Sequence, residues 1–264
     1  MRFTVLGSVG AVVNEQFTAI AGTQQRILLA TLLLRAGRLV QSEQLYTELW
    51  GDNPPDGVSN ALQAHVSRLR RTLRRLGEEG PQPAPSLNIH ASGYILDLCP
   101  DRVDINVFRD RIARARVAMV DAPLRARSLL DSALSLWQGD PLHDVSSSPM
   151  CRSVSLELDE EYLAALECKY ELGLRCNEPH SVISELRRMS VTHPWRERLT
   201  ELLMLALYRC GRQADAMEAY NAARARLVDE LGIEPSPQLK RLFRDILNQE
   251  PALNPAPQPI NLAS

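Results

Sequence analysis

Leu62, Val66, Leu69, Leu73 and Leu76 follow one another at spacings of four, three, four and three residues. That is one apolar stripe along a helix over Ser59–Leu76, and the pattern leaves the opposite face polar. Two helical patterns precede it. Gln24–Arg35 carries Ile27, Leu28, Leu32 and Leu34, with Thr23 placed to cap it and Gly37 where it stops. Ser42–Trp50 turns Leu45 and Leu49 inward, with Ser42 placed to cap it, and Gly51-Asp52-Asn53-Pro54-Pro55-Asp56-Gly57 breaks it. Before these helices, β-forming residues (Phe3, Val5, Leu6, Val12, Val13, Phe17, Ile20) are punctuated by Gly7, Gly10 and Asn14, which predicts a small antiparallel sheet. After them, the Gly/Pro-rich connector GEEGPQPAPS leads into Leu87–His90 and Tyr94–Leu98, two strands of a hairpin around Ala91-Ser92-Gly93.

From Asp104 onward no strand pattern recurs. Helical periods are separated by breaks near Asp121, Gly139, Asn177, His193 and Gly232. Leu205 to Tyr220 has the small and aromatic positions of a tetratricopeptide-like repeat, with Gly211 ending one helix and Ala216 admitting the next; a weaker copy lies around Cys168–Leu186. Trp137, Leu172, Leu203, Leu207 and Tyr208 are expected in the core of these helix pairs, which would offer a concave surface to protein partners. The fold class is therefore mainly α with small antiparallel β. A winged helix-turn-helix over residues 1–98 precedes an all-α, tetratricopeptide-like domain over 104–250, and the Pro-rich tail 251–264 is expected to be disordered.

Length agrees with two domains in 264 residues. The longest apolar run, Ile27–Leu34, is far too short to cross a bilayer, and the N-terminus lacks the apolar core of a signal peptide, so a cytoplasmic, nucleoid-associated address without a membrane is expected. Five cysteines without a C-x-x-C pair (Cys99, Cys151, Cys168, Cys176, Cys210) fit neither a disulfide framework nor a zinc site and read as buried thiols. Among 30 basic residues only Lys169 and Lys240 are lysines, a bias that base composition of a genome explains as well as chemistry does.

Charge placement says more than the net −2. Residues 1–98 hold nine arginines against eight acids, yet Ser59–Leu76 holds five arginines and no acid. With the leucines turned inward, Asn60, Gln63, Ala64, Ser67, Arg68, Arg71 and Arg74 face outward. A helix about 10–12 Å wide fits the major groove of DNA. Arginine supplies forked donors for guanine or phosphate, and a short alanine lets the helix approach a thymine methyl. The plain alternative is a solvated basic helix. Against it, five arginines with His65 and no compensating acid would repel one another on a bare surface, and the hairpin supplies a second contact. A coiled coil fails on length.

The string NALQAHVSRLRRTL, preceded by SEQLYTELWGDNPPDG and followed by SGYILDL, resembles the winged-helix domain of OmpR-type regulators and, more closely, that of the Streptomyces antibiotic regulatory protein family. VDINVFRD, ALSLWQGDPL and LYRCGRQADAMEAYNAARARLVDELGIEPSPQLKRL resemble the same family's bacterial transcriptional activation domain. The resemblance covers residues 1 to 250. It implies a pathway-specific activator of antibiotic or secondary-metabolite genes that binds direct repeats in double-stranded promoter DNA as side-by-side protomers and recruits RNA polymerase holoenzyme. By similarity to the motif H-[IV]-x-R-L-R, Ala64 and Arg68 correspond to base-reading positions, and Asn60, His65 and Arg70 to positions that contact the DNA backbone. On the wing, where His90 and Ser92 are candidate contacts, His90 replaces an arginine used by some relatives, which weakens the expectation of minor-groove reading. Asp52, Asn53, Pro54, Pro55 and Asp56 match the family's polymerase-contacting loop; a mere connector is the alternative.

No phosphate loop, nucleophile elbow or H-E-x-x-H pair occurs, so neither an enzyme nor a cofactor is expected, and Glu157, Asp159, Glu160 and Glu161 read as a solvated helix face, not a metal site. With a winged helix at residue 1, no receiver domain is expected ahead of it, nor an ATPase domain after the helical half. The competing function is a protein–protein adaptor whose repeats do the work without DNA readout.

Overall fold

In the computed structural model, residues 1–254 are described. Three short strands, β1 (Arg2–Thr4), β2 (Gly10–Val13) and β3 (Gln16–Ala19), form an antiparallel sheet in that order. The β2–β3 turn puts both Asn14 (φ 47°) and Glu15 (φ 66°) in the left-handed region, as a two-residue hairpin turn of matching twist requires. Then come α1 (Thr23–Leu34), β4 (Val40–Gln41), α2 (Ser42–Trp50), α3 (Val58–Glu79), β5 (Ser86–His90) and β6 (Gly93–Asp97), with a second antiparallel sheet in the order β4-β6-β5. This is the expected winged helix. The two-residue β4 carries no sequence pattern of its own; β6 recruits it, with Val40 opposite Tyr94 and Gln41 opposite Gly93.

The caps differ from expectation. Gly22 and Gln41 take the N-cap positions of α1 and α2, and neither makes a side-chain cap. The Thr23 hydroxyl instead accepts a bond from Arg26, and the Ser42 amide donates to the Ser92 carbonyl, tying α2 to the wing turn. The helix α3 also runs three residues past Leu76, through Gly77. A Cβ on Gly77 would lie 2.6 Å from that of Ala84, so this glycine admits the returning connector against the helix instead of ending it.

The remaining helices are α4 (Asp104–Ala118), α5 (Pro123–Leu134), α6 (Pro149–Arg175), α7 (Pro179–Thr192), α8 (Glu197–Arg209), α9 (Gln213–Leu231) and α10 (Pro237–Leu247). By contact the chain divides into two compact units: Met1–Ala118 with Ser128–Leu163, and Met119–Arg127 with the chain from Ala164 onward. The first unit thus contains more than the winged helix. Three carboxylates hold its parts together. Asp104, 1% exposed, accepts the amides of Val5, Leu6 and Ile105. Asp144 accepts the Val9 amide and pairs with Arg26 at 3.0 Å. Glu48, on α2, accepts the Ser148 hydroxyl and the Met150 amide at the start of α6.

In the second unit α7, α8 and α9 stack in succession, and Gly211 (φ 72°) turns the chain between α8 and α9 as its place in the repeat predicts. Tyr220 of α9 stacks on Phe243 of α10, centroids 4.0 Å apart. Leu172, Leu203 and Leu207 are buried, but Trp137 and Tyr208 are only half-buried: Trp137 packs in the first unit, edge-on to Phe108 and tilted over Tyr162. The cysteines are free, as expected, but only Cys151 is buried, its thiol pushed up to about 11 by desolvation; Cys99 is exposed and the others lie between. Pro251–Leu253 form a short 3-10 turn, and the rest of the tail expected to be disordered, residues 255–264, lies outside the described residues. Among the described residues no helix is long and apolar enough to cross a membrane.

Two predictions follow from this packing. A Cβ on Gly93 would sit 2.0 Å from the Val40 carbonyl oxygen, so Gly93→Ala forces β4 and β6 apart and should cost about 2–3 kcal/mol in denaturant unfolding. Burial raises the Asp104 carboxyl from 3.8 to about 6 against the opposing pull of its three amide donors. The fold therefore holds this proton more tightly than the unfolded chain does. The contribution is full below pH 3.8 and is lost as pH rises toward 6, so Asp104→Asn should remove that downward component from a plot of stability against pH.

Candidate nucleic-acid interface

The rotation of α3 about its own axis is fixed by Leu62, Val66, Leu69, Leu73 and Leu76, each 2% exposed or less. Burying each removes about 1.5–3 kcal/mol worth of apolar surface from water, so any other face presented to α1 and α2 would cost several-fold more than a surface ion pair returns. The consequence is geometric: Asn60, Gln63, Ala64, Ser67, Arg68, Arg71 and Arg74 are all exposed. Among the described residues, none of Arg68, Arg71 and Arg74 forms an ion pair; Arg68 makes only a long bond, 3.4 Å, to the Ala64 carbonyl of its own helix. The one ion pair on the helix, Arg75 with Glu79, is stretched to 3.9 Å.

His65 and Arg70 are placed differently. Each is half-buried and bonded within the protein. The His65 ring meets Gln25 of α1 through Nδ1 at 2.9 Å and lies edge-on to Trp50 of α2, centroids 5.8 Å apart. The guanidinium of Arg70 donates through Nε (2.9 Å) and Nη2 (2.6 Å) to the Leu87 carbonyl on β5. One residue therefore braces α3 against the preceding helices, and the other latches it to the wing. Gln25, Trp50 and Leu87 were not singled out from the sequence. Gln25 looks like a solvated residue of a helical first turn, and a main-chain carbonyl has no sequence signal at all.

His90 and Ser92 are exposed on the wing, and between α2 and α3 Asp52, Asn53, Pro54, Pro55 and Asp56 are exposed without exception. Ile89 stands 65% exposed beside His90, an apolar tip that alternation along β5 could have flagged. Among the described residues no cluster of His, Cys, Asp or Glu is arranged to hold a metal; Glu161 is instead bonded to Arg109, and Glu157, Asp159 and Glu160 are exposed.

Residues 19–96 match the model described as "Transcriptional regulatory protein, C terminal", and residues 103–247 match "Bacterial transcriptional activator domain". The chain is 39% identical to the transcriptional regulator RedD of Streptomyces coelicolor, across 96% of this chain and 72% of RedD. The chain belongs to the Streptomyces antibiotic regulatory protein family. Within that family it is 32% identical to the regulatory protein DnrI of Streptomyces peucetius over 96% of this chain and 94% of DnrI, whereas it spans a quarter of the longer AfsR of S. coelicolor. A solved structure of Mycobacterium tuberculosis EmbR, in complex with a low-affinity phosphopeptide, superposes with a TM-score of 0.87 at 30% identity, covering 95% of this chain and 65% of that one. As a member of this family, the protein is a DNA-binding transcriptional activator.

The environment of His65 gives a direct test. Burial, and secondarily the nearby Arg68 charge, lower its pKa below 6.5. The neutral ring is thus favoured in the fold; its contribution is present above pH 6.5 and is lost as pH falls through the lowered value. An NMR titration should show the His65 midpoint below 6.5, and a midpoint at or above 6.5 would remove the brace described here.

Proposed function

We propose that this activator reads promoter DNA by laying α3 in the major groove, with Ala64 and Arg68 facing bases and Asn60, Gln63, Ser67, Arg71 and Arg74 around them. The observation that carries the reading is the exposed face of α3 between Ser59 and Leu76, which holds no acid and leaves three guanidinium groups unspent on ion pairs. His65 and Arg70, matched by resemblance to backbone-contacting positions, act here chiefly by fixing the helix against Trp50 and the wing. His90 and Ser92 approach the adjacent backbone from the wing turn.

Membership of the Streptomyces antibiotic regulatory protein family supports target genes of an antibiotic or other secondary-metabolite pathway. Family resemblance supports direct repeats occupied by side-by-side protomers, a heterologous arrangement that suits head-to-tail sites better than palindromes. The exposed Asp52–Asp56 loop, held open by Pro54 and Pro55, is the segment we assign to RNA polymerase holoenzyme.

Footprinting upstream of neighbouring biosynthetic genes should reveal repeats whose spacing is near one 10–10.5 bp turn or a multiple of it. In gel-shift series Arg68→Ala should cost about 1–3 kcal/mol and flatten base preference at one position. Arg71→Ala and Arg74→Ala should weaken all sequences alike and each reduce the salt dependence by about one unit of slope. If Arg68→Ala leaves preference and affinity intact, the assigned placement of α3 is wrong.

A further inference from the structure

The N-terminal sheet has a second face, turned away from the core that Phe3, Ala11 and Val13 fill. Its register pairs Arg2 with Val12 and Val12 with Phe17, so these three side chains form one row across β1, β2 and β3. The neighbouring row is Thr4, Gly10 and Ala19. Gly10 is bare because the Phe17 ring lies against it: a Cβ there would meet the ring at 2.5 Å. The row is the floor of a cavity of about 430 Å³, walled by Leu6, Leu136 and Gln138. The main chain supports that wall, since the Gln138 amide donates to the Leu6 carbonyl at 2.8 Å and Gly7 (φ 143°) lets Gln138 approach closely.

Two features of the floor are unspent. Phe17 leaves 52% of its surface exposed in the cavity. At the other end of the row, Arg2 Nε is shut off from solvent with no hydrogen-bond partner, and among the described residues the Arg2 guanidinium makes no ion pair; the charge of Asp104 feels it only at a distance. A sequestered donor on a permanent cation is unfavourable until an acceptor arrives. Three strands at 4.7–4.9 Å spacing put the backbones of Arg2 and Phe17 about 9–10 Å apart, with the Phe17 ring leaning inward over Gly10, so the row spans room for a one- or two-ring aromatic acid.

We propose that this face is a binding site for a small aromatic carboxylate. The acid group meets the Arg2 guanidinium, and the ring system lies over Val12 and against Phe17. Gln138 borders its edge, with buried Leu6 and Leu136 behind. Glu15, on the β2–β3 turn at the rim, repels a second acid group, which restricts the ligand to a monoanion. None of these residues belongs to the α3 face, so the site is separate from DNA reading.

The test is calorimetric titration of the full chain with 2-naphthoate, 2-naphthamide and 2,6-naphthalenedicarboxylate. The expected result is saturable binding of 2-naphthoate with Kd at or below about 1 mM, and binding about tenfold weaker or worse for the neutral amide and the dianion. Arg2→Gln and Phe17→Ala should each lose about tenfold. Phe17 contributes to no core, so its variant folds even if Arg2→Gln does not, and the comparison of acid with amide needs no variant. Absence of binding at that concentration, equal binding of acid and amide, or unchanged affinity in Phe17→Ala would each overturn the proposal.

Discussion

The burial of one apolar stripe on α3 governs what this molecule presents to a ligand. Leu62, Val66, Leu69, Leu73 and Leu76 leave no rotational freedom, because a turn of the helix by one residue would bring a charged or amide side chain under α1. The arginines owe their exposure to those leucines, not to any partner of their own. His65 and Arg70 sit at the two margins of the stripe and convert a fixed rotation into a fixed position, one against Gln25 and Trp50, the other against the wing. A DNA-facing surface needs such stiffness, since side chains held in place before binding lose less entropy on contact.

The second organising feature is the set of acceptors Asp104, Asp144 and Glu48. Each carboxylate satisfies main-chain amides that would otherwise be buried without partners, and Glu48 and Asp104 are 7% and 1% exposed. Desolvating them costs free energy, visible in the raised pKa of Asp104, and the amide and hydroxyl donors offset it. Through these bonds the N-terminal sheet, α2 and the start of α6 share one compact unit, although the two family models meet between residues 96 and 103. A sequence domain and a mechanical unit are different things here. The helix α3 is carried by a body that includes the beginning of the stretch matched by the activator-domain model.

Periodicity made α3 and its inward residues legible, since a 3.6-residue repeat with no competing pattern admits one reading. The hairpin was legible for the same reason at period two, and Gly211 and Ala216 marked the α8–α9 turn. What stayed hidden rests on contacts distant in sequence. The two residues of β4 are a strand only because β6 lies beside them. Thr23 and Ser42 have the chemistry of caps, yet Gly22 and Gln41 take the cap positions, the Thr23 hydroxyl accepts a local bond from Arg26, and the Ser42 amide is tied to the Ser92 carbonyl. Gly77 looks like a breaker but serves close packing with Ala84. For the site, the helical period turned Arg68, Arg71 and Arg74 outward, but nothing in the sequence showed that Arg70, matched by resemblance to a backbone contact, is spent on the Leu87 carbonyl.

Photo-crosslinking tests the central claim most directly. A benzophenone side chain placed at Ser67, exposed on α3, should couple efficiently to bases of an operator duplex, whereas the same group at exposed Val191 on α7 should not. Crosslinks from Val191 with none from Ser67 would mean that the arginine face of α3 points away from DNA, and the account of this protein as a reader of the major groove would fall.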